Sequence, residues 1–142
     1  MIIYSEDPNF KPIEIGTELE LEYIHVGDKK LRWFLYQFCI NLKGREEKLE
    51  PAISVYPDIA YLYAYRLNER WVDLGKPEVE DIIGKDPYSA CYYAINILKK
   101  KWKDIGKEWI EENLPRDTNY GRIYNTTFDF VDKYYVYPFR TS

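Results

Sequence analysis

The feature that most constrains the fold of this 142-residue chain is the similarity between segments of its own sequence. Residues 53–64 match residues 83–94 at one offset, with an isoleucine, a proline, two alanines and a tyrosine in corresponding places. Residues 67–71 then match residues 98–102, and a glycine–lysine pair follows each of these segments. Periods of about thirty residues are typical of repeat proteins, in which each unit is one supersecondary element.

Two weaker copies flank this pair. Downstream, Leu114, Asp117 and Tyr124 occupy the places that an isoleucine, an aspartate and a tyrosine have in the second copy. Upstream, residues 42–45 resemble residues 67–70, and a Glu-Pro-Ala-Ile segment ends that unit. Because both flanking copies are degenerate, about three units are predicted rather than four.

The repeated segments have the pattern of helices. Asp86-Pro87 is a strong helix start, because aspartate can accept hydrogen bonds from the free amides and proline tolerates the first helical position. Apolar residues then recur at helical spacing in both copies. We expect equivalent α-helices over residues 60–71 and 90–102 that bury their alanine and tryptophan sides against one another.

Glycines predict where these long helices end. Gly75 and Gly106 follow them, and a glycine is the residue that most often terminates a helix. Short second helices are predicted over residues 77–83 and 107–114. Each unit is then a helical hairpin, which must stack on its neighbours because it cannot bury its apolar face alone.

The N-terminal segment has a different period. Apolar and polar residues alternate between Ile13 and Tyr23, as in a half-buried strand, and residues 1–4 are a candidate partner strand. The polar side forms an acidic stripe of four glutamates, Glu14, Glu18, Glu20 and Glu22. This stripe is either a solvated face that discourages pairing between sheet edges or a docking site for a basic partner.

The run at residues 31–42 is too apolar for its periodicity to distinguish a helix from a strand that completes a sheet with residues 13–23. The predicted fold class is α+β and helix-rich, with a short N-terminal β element followed by stacked helical-hairpin repeats. The length indicates a single domain. It divides into the β element at residues 1–28, the repeats at 31–125 and an aromatic tail at 126–142.

The repeated motifs resemble a degenerate tandem repeat of uncharacterised proteins of large phages and other viruses. That pattern has an acidic-Pro helix start, then Ala-x-x-Tyr-Ala, Leu-Lys-Gly-Arg-Trp and Glu-Pro-x-Ile. The matching segments here are Asp86-Pro87 and residues 60–64, 90–94, 42–45, 70–71 and 50–53. The last copy departs from the pattern because it lacks both alanines. The resemblance implies an all-helical repeat segment and a viral origin, and it implies nothing about chemistry.

The inventory of reactive side chains contains no recognisable catalytic centre. His25 is the single histidine, which excludes constellations that need two. Cys39 and Cys91 lack metal-ligand spacing, and the glycines form no phosphate loop. We therefore expect no metal, no cofactor and no enzyme, and the alternative left open is an enzyme that uses a pair of carboxylates for acid–base chemistry. Both cysteines lie in apolar runs, which predicts buried free thiols in a reducing compartment.

The location predicted from the sequence is cytoplasmic, and it is the host cytoplasm if the protein is phage-encoded. No stretch approaches the ~20 apolar residues of a membrane span, and the first ten residues have no basic region followed by an apolar core. No membrane partner is expected.

One predicted helical stripe combines an aromatic ring with cations, and its members are Tyr92, Asn96, Lys99 and Lys103. Residues 99–107 hold five lysines against one aspartate. The stripe is either the solvated back of an amphipathic helix or a face that binds an anion such as a nucleic acid, a nucleotide or an acidic protein patch.

The tail concentrates aromatic rings around Pro138, namely Tyr134, Tyr135, Tyr137 and Phe139. We expect residues 128–139 to form a strand or an extended segment. The tail either binds a partner or mediates self-association, or it caps the exposed end of the repeats.

The sequence favours a non-catalytic protein-binding module. The 15 tyrosines support this prediction, because tyrosine serves both at the edge of a core and in interfaces. The viral resemblance implies a phage-encoded protein that acts on a host factor, including a factor of host defence. The alternative is a nucleic-acid or nucleotide binder that uses Tyr92, Asn96, Lys99 and Lys103.

Overall fold

The structure of the protein, a computed structural model, describes residues 2–5, 13–14, 23–26 and 28–134, with side chains described over residues 31–130. This part of the chain is helix-rich, as predicted. The described residues form six α-helices: α1 Asp28–Ile40, α2 Glu50–Ile53, α3 Pro57–Leu67, α4 Glu78–Ile83, α5 Pro87–Tyr93 and α6 Asn119–Tyr134. A π-helical turn, Ala94–Leu98, extends α5, and 3-10 helices lie at Glu47–Leu49, Trp102–Ile105 and Glu108–Asn113.

Near the N-terminus, three short backbone segments pair with one another. They are β1 Ile2–Ser5, β2 Ile13–Glu14 and β3 Tyr23–Val26, in the order β2–β1–β3. β1 is antiparallel to β2 and parallel to β3. Residues 15–22, the greater part of the predicted long strand, lie outside the described residues. The short pairings therefore do not establish the predicted β element, which stays a prediction.

Residues 28–40 form helix α1, so the alternative of a strand at residues 31–42 is wrong. Leu31, Leu35 and Cys39 recur every fourth residue and are buried. Trp33 and Tyr36 lie on the other side of α1 and are exposed. The run is apolar on both sides of the helix, which explains why its periodicity could not identify the structure.

Both long helices end before the position that the sequence predicts. Asn68 and Lys99 adopt left-handed backbone conformations, with φ of 56° and 58°, and the helix stops at each. Trp71 and Trp102 therefore lie beyond the helices, and the prediction of helices that run through both tryptophans is wrong. A left-handed residue is a common helix terminator, but it is usually a glycine, and neither position is one.

The two tryptophans are nevertheless fully buried, as predicted. The chain returns after each left-handed residue and brings each indole back to the start of its helix. Trp71 Nε1 donates a 2.9 Å hydrogen bond to the Ala60 carbonyl, and Trp102 Nε1 donates one of 2.9 Å to the Ala90 carbonyl. Each indole also stacks on a tyrosine of the same helix, with ring centroids 5.2 and 5.6 Å apart. Ala60 and Ala90 are buried here, and their small side chains leave room for this close approach.

Short helices follow both turns near the predicted positions. α4 lies within the predicted range 77–83, and the second short helix, Glu108–Asn113, is of the 3-10 type. Gly75 and Gly106 precede them with φ of 84° and 80°. A residue with a side chain adopts this conformation only at a cost in strain, so glycine is favoured at both positions. The long helices then pack in the order α1 on α3, α3 on α5 and α5 on α6.

The start of the predicted aromatic tail is helical. Residues 119–134 form α6, so the expectation of a strand or an extended segment is wrong for residues 128–134. Tyr124 and Phe128 are buried one turn apart on the inner side of α6, and this burial explains the helix. The Thr118 hydroxyl accepts a 3.1 Å hydrogen bond from the Gly121 amide at the first turn.

Candidate interaction surface

One set of contacts occurs at three places in the described part of the chain. In each, a glutamate accepts a hydrogen bond from a tyrosine hydroxyl, and that hydroxyl accepts one from a backbone amide. We call each set a carboxylate joint. In the first joint, Glu50 is fully buried and accepts hydrogen bonds from the Tyr63 hydroxyl at 2.6 Å, from Arg45 Nε at 2.8 Å and from Arg45 Nη2 at 3.0 Å. Lys76 Nζ adds a contact of 2.9 Å. Four donor atoms therefore surround one carboxylate.

The second joint repeats this geometry. Glu80 is buried and accepts from the Tyr93 hydroxyl at 2.7 Å and from Nε and Nη2 of Arg70 at 3.0 and 2.9 Å. In both joints the tyrosine lies 13 residues after the glutamate. The hydroxyl also accepts from a backbone amide, that of Glu46 in the first joint and that of Trp71 in the second.

The third joint keeps the tyrosine and lacks the arginine. Glu111 accepts from the Tyr124 hydroxyl at 2.9 Å and from the Lys103 amide at 3.1 Å. The hydroxyl again accepts from a backbone amide, that of Trp102, at 2.9 Å. Lys101 stands where the other joints have arginine, and its Nζ lies 4.0 Å from Asp129.

The electrostatics of the joints fit a structural role. Burial alone would raise the pKa of Glu50, but the hydrogen bonds from Arg45, Tyr63 and Lys76 outweigh it and bring this pKa to about 2. Desolvation raises the pKa of the joint tyrosines, which therefore stay protonated and donate. The first carboxylate is ionised and saturated with donors, which is the state of a structural ion pair.

A second group of tyrosines extends from the edge of the core, at Tyr61, to the surface. We call it the tyrosine surface, and its members are Tyr61 and Tyr65 of α3, Tyr88 and Tyr92 of α5, and Tyr120 of α6. Tyr88 is its centre and contacts three of the other rings, with centroid distances of 5.1 to 6.2 Å. Tyr61 also packs on Tyr65, and Tyr92 on Tyr120. Tyr65 and Tyr88 are exposed, with 51% and 42% of their surface accessible.

Two of the four predicted binding residues belong to this region. Tyr92 is one of the packed rings, and Asn96 donates a 2.8 Å hydrogen bond to the Tyr61 hydroxyl. Lys99 is the left-handed residue that ends the π-helical turn, and Lys103 lies in the next 3-10 helix. The prediction of one continuous helical stripe through all four residues is wrong, because the helix stops at Lys99.

The neighbouring lysines are partly neutralised. Lys107 binds Asp81, and Lys101 approaches Asp129. Lys100 and Lys103 are exposed. The predicted cluster of five lysines is therefore divided between ion pairs and solvent, rather than presented on one helix face.

Sequence reasoning did not find Tyr61, Tyr65, Tyr88 and Tyr120 as candidates. A usable signal was present, since Tyr61 and Tyr65, like Tyr88 and Tyr92, are spaced four apart on predicted helices and so share a face. The repeat comparison obscured them, because these tyrosines do not occupy corresponding places in the copies.

The remaining candidates lie outside the region whose side chains are described. Glu14 belongs to β2, and Tyr134 is the last residue of α6. The others, Glu18, Glu20, Glu22, Tyr135, Tyr137 and Phe139, lie outside the described residues altogether. His25 belongs to β3, where only the backbone is described.

The described side chains show two further features. Cys39 and Cys91 are buried free thiols, as predicted, and burial raises their pKa to about 12 and about 11. Among the described residues, no group of three or more His, Cys, Asp and Glu side chains is arranged to hold a metal ion. Within the same part of the chain, no helix has both the length and the apolar character needed to cross a bilayer.

Comparisons with protein-family models, with curated proteins and with solved structures find no match for this chain. Its function must therefore be inferred from the geometry of its own residues.

Proposed function

We propose that the protein is a non-catalytic protein-binding module whose partner docks on the tyrosine surface. The observation that carries this proposal is the packing of five tyrosines, from three helices, into one partly exposed cluster. Tyrosine is enriched in interfaces because its ring supplies apolar area and its hydroxyl supplies a hydrogen bond. A cluster held by mutual ring contacts also loses little side-chain freedom on binding.

The positions of these tyrosines support a role in binding rather than in folding. The side chains that hold the fold, such as the joint tyrosines and the buried tryptophans, recur at corresponding places. The tyrosines of the tyrosine surface do not recur at equivalent positions of the three helices. The position of Tyr61 in α3 is taken by Cys91 in α5 and by Arg122 in α6. Residues that vary between otherwise similar units are free to specify a partner.

We interpret the three carboxylate joints as equivalent elements of about three stacked helical-hairpin units. The recurrence of the same donors and acceptor around Glu50 and Glu80 supports this interpretation. On the viral resemblance of the motifs, we propose a phage-encoded protein that acts on a host factor in the host cytoplasm. Recovery of the gene from a bacterial genome with no phage genes beside it would contradict the phage context.

Affinity capture with three forms of the protein tests the binding proposal. The wild type is compared with a Tyr65→Ala/Tyr88→Ala variant and with a Trp109→Ala control. Trp109 is a suitable control because its exposure, 41%, is close to that of Tyr88, and it lies outside the tyrosine surface. A partner should be recovered by the wild type and the control and lost by the double variant. Equal recovery by all three forms would contradict the proposal.

The nucleic-acid alternative is tested in parallel. A mobility-shift assay at low salt uses RNA and DNA oligonucleotides with the wild type and with a Lys99→Glu/Lys103→Glu variant. Retention that is lost on charge reversal would favour the alternative, because phosphate contacts dominate such binding. We expect no retention, since these two lysines do not share one helix face.

A further inference from the structure

The helix that begins at Pro87 contains one residue more than α3 between equivalent positions. In α3 the amide of Asn68, the left-handed residue, donates to the carbonyl of Ala64, four residues earlier. After α5 the amide of Lys99, the equivalent residue, donates to the carbonyl of Ala94, five residues earlier, at 2.7 Å. The two alanines occupy corresponding places in the repeated segments. The π-helical turn is therefore where the extra residue is absorbed, because a hydrogen bond to the fifth residue back encloses one residue more than that of an α-helix.

The contacts on either side of this turn are the same in both copies. The indole of Trp71 reaches a carbonyl eleven residues before it, and that of Trp102 reaches one twelve residues before it, each at 2.9 Å. The backbone amide of each tryptophan donates to a tyrosine hydroxyl 22 residues later. The first copy makes all these contacts without the additional residue, so the fold does not require it.

The extra residue also places the backbone in an unfavourable conformation. Lys99 has a φ of 58°. This left-handed region is unfavourable for most residues with a side chain, and asparagine, which α3 has at the equivalent place, tolerates it better. Single π-helical turns are rare and occur frequently at functional sites. A strained feature that the fold does not require therefore directs attention to function.

The π-helical turn brings Asn96 onto the tyrosine surface. Asn96 Nδ2 donates a 2.8 Å hydrogen bond to the hydroxyl of Tyr61 in α3. The turn holds three half-buried residues, 95–97, where α3 has the two exposed residues 65–66. A helix with the spacing of α3 has room for only two residues there. Without the extra residue, the side chains of the turn would therefore point in other directions.

We infer that Asn96 is a positioning residue of the tyrosine surface and that the π-helical turn serves to place it against Tyr61. This inference rests on the proposed function, since it assigns the turn to partner binding rather than to folding. Tyr61 packs on Tyr65 of its own helix and on Tyr88 of α5, so it joins the two parts of the surface. A hydrogen bond that fixes Tyr61 reduces the side-chain freedom that is lost when a partner docks.

Two variants separate the amide group from the turn. Asn96→Leu keeps the turn and removes the donor. Deletion of Ile97 keeps the asparagine and gives the helix the spacing of α3. Asn113→Leu is the matched control, because Asn113 is also half-buried and its Nδ2 donates a 3.0 Å hydrogen bond to the Gly84 carbonyl, outside the tyrosine surface.

NMR of tyrosines labelled with carbon-13 at Cζ tests the contact without a partner. Burial raises the pKa of Tyr61, and the hydrogen bond from Asn96 offsets part of that rise. In a pH titration, Asn96→Leu and the deletion should therefore both raise the pKa of Tyr61 further. The control should leave this pKa at the wild-type value. An unchanged pKa of Tyr61 in either test variant would overturn the inference.

Hydrogen exchange of the Trp102 indole N–H tests whether the fold needs the extra residue. This N–H donates to the Ala90 carbonyl, and α3 closes the same contact with the shorter spacing. The deletion variant should therefore keep slow exchange at this N–H. Loss of that protection would show that the extra residue serves the fold, which would overturn the assignment of the turn to binding. Asn96→Leu then still tests the role of the amide group.

Affinity capture, as described above, tests the role in binding. A partner recovered by the wild type should bind Asn96→Leu about five-fold more weakly, which is the change produced by one hydrogen bond of typical net strength. It should bind Asn113→Leu as tightly as the wild type. Equal binding to all three forms would overturn the inference.

The outcome separates the inference from the function on which it rests. If binding is insensitive to Asn96→Leu but is still lost in the Tyr65→Ala/Tyr88→Ala variant, the inference fails and the binding proposal stands. If binding is insensitive to both changes, or if the wild type recovers no partner, both proposals fail.

Discussion

At Glu50, a fully buried carboxylate is held by a guanidinium, an ammonium and a hydroxyl. Removing its charge leaves Arg45 and Lys76 without their partner. Both cations are about one-third exposed, so water compensates in part, and we expect Glu50→Gln to lower the free energy of unfolding by about 2–3 kcal/mol. Urea denaturation measures this change. Glu47→Gln is the control, because Glu47 also contacts Arg45 but is 73% exposed. Equal effects of the two changes would contradict a special role for the buried pair.

The same residue predicts how stability depends on acid. The folded pKa of Glu50 is about 2, below the ordinary value of ~4.3 for glutamate, so the folded state favours the ionised form. Its contribution is complete above the unfolded pKa and is lost as the pH falls from about 4.5 toward 2. The urea midpoint of the wild type should therefore fall between pH 5 and pH 3 more steeply than that of Glu50→Gln. Parallel pH profiles for the two proteins would contradict this assignment.

At the scale of the element, the third joint lacks the arginine that the other two share. Lys101 stands where Arg45 and Arg70 form two-pronged contacts with their glutamates. Lys101→Arg should supply the same contact to Glu111 and raise the free energy of unfolding by about 1 kcal/mol, since charged hydrogen bonds contribute about this much. Lys103→Arg is the control, because its side chain is exposed. A loss of stability in Lys101→Arg would show that the third joint has a different geometry.

The elements also show what the sequence could predict. The Asp86 helix start is confirmed, since its carboxylate accepts a 3.1 Å hydrogen bond from the Ser89 amide. The helix ends were missed because Asn68 and Lys99 lack the glycine signal. The carboxylate joints were missed because their members, which are 5 to 26 residues apart, come from separate elements and meet only after the chain reverses. The tyrosine surface was missed because the spacing of tyrosines along one helix shows which of them share a face, but not which faces of α3, α5 and α6 meet.

At the scale of the whole molecule, each long helix packs mainly on the next one in the row. A repeat array held in this way should lose stability locally when one end is weakened, because each unit contacts only its neighbours. Tyr124→Phe weakens the far end, since it removes the hydroxyl that joins Glu111 to the Trp102 amide. Removing one partner of buried polar groups typically costs about 1–3 kcal/mol.

Native-state hydrogen exchange on Tyr124→Phe distinguishes an array from a single cooperative core. In an array, amides of α6 and of the 3-10 helices at residues 102–113 should exchange faster, while those of α3 keep the protection of the wild type. The corresponding change at the other end, Tyr63→Phe, should accelerate exchange in α3 more than in α6. A uniform loss of protection from α1 to α6 in both variants would mean that the helices unfold together. In that case the three joints would be parts of one core, and the interpretation of stacked units would be wrong.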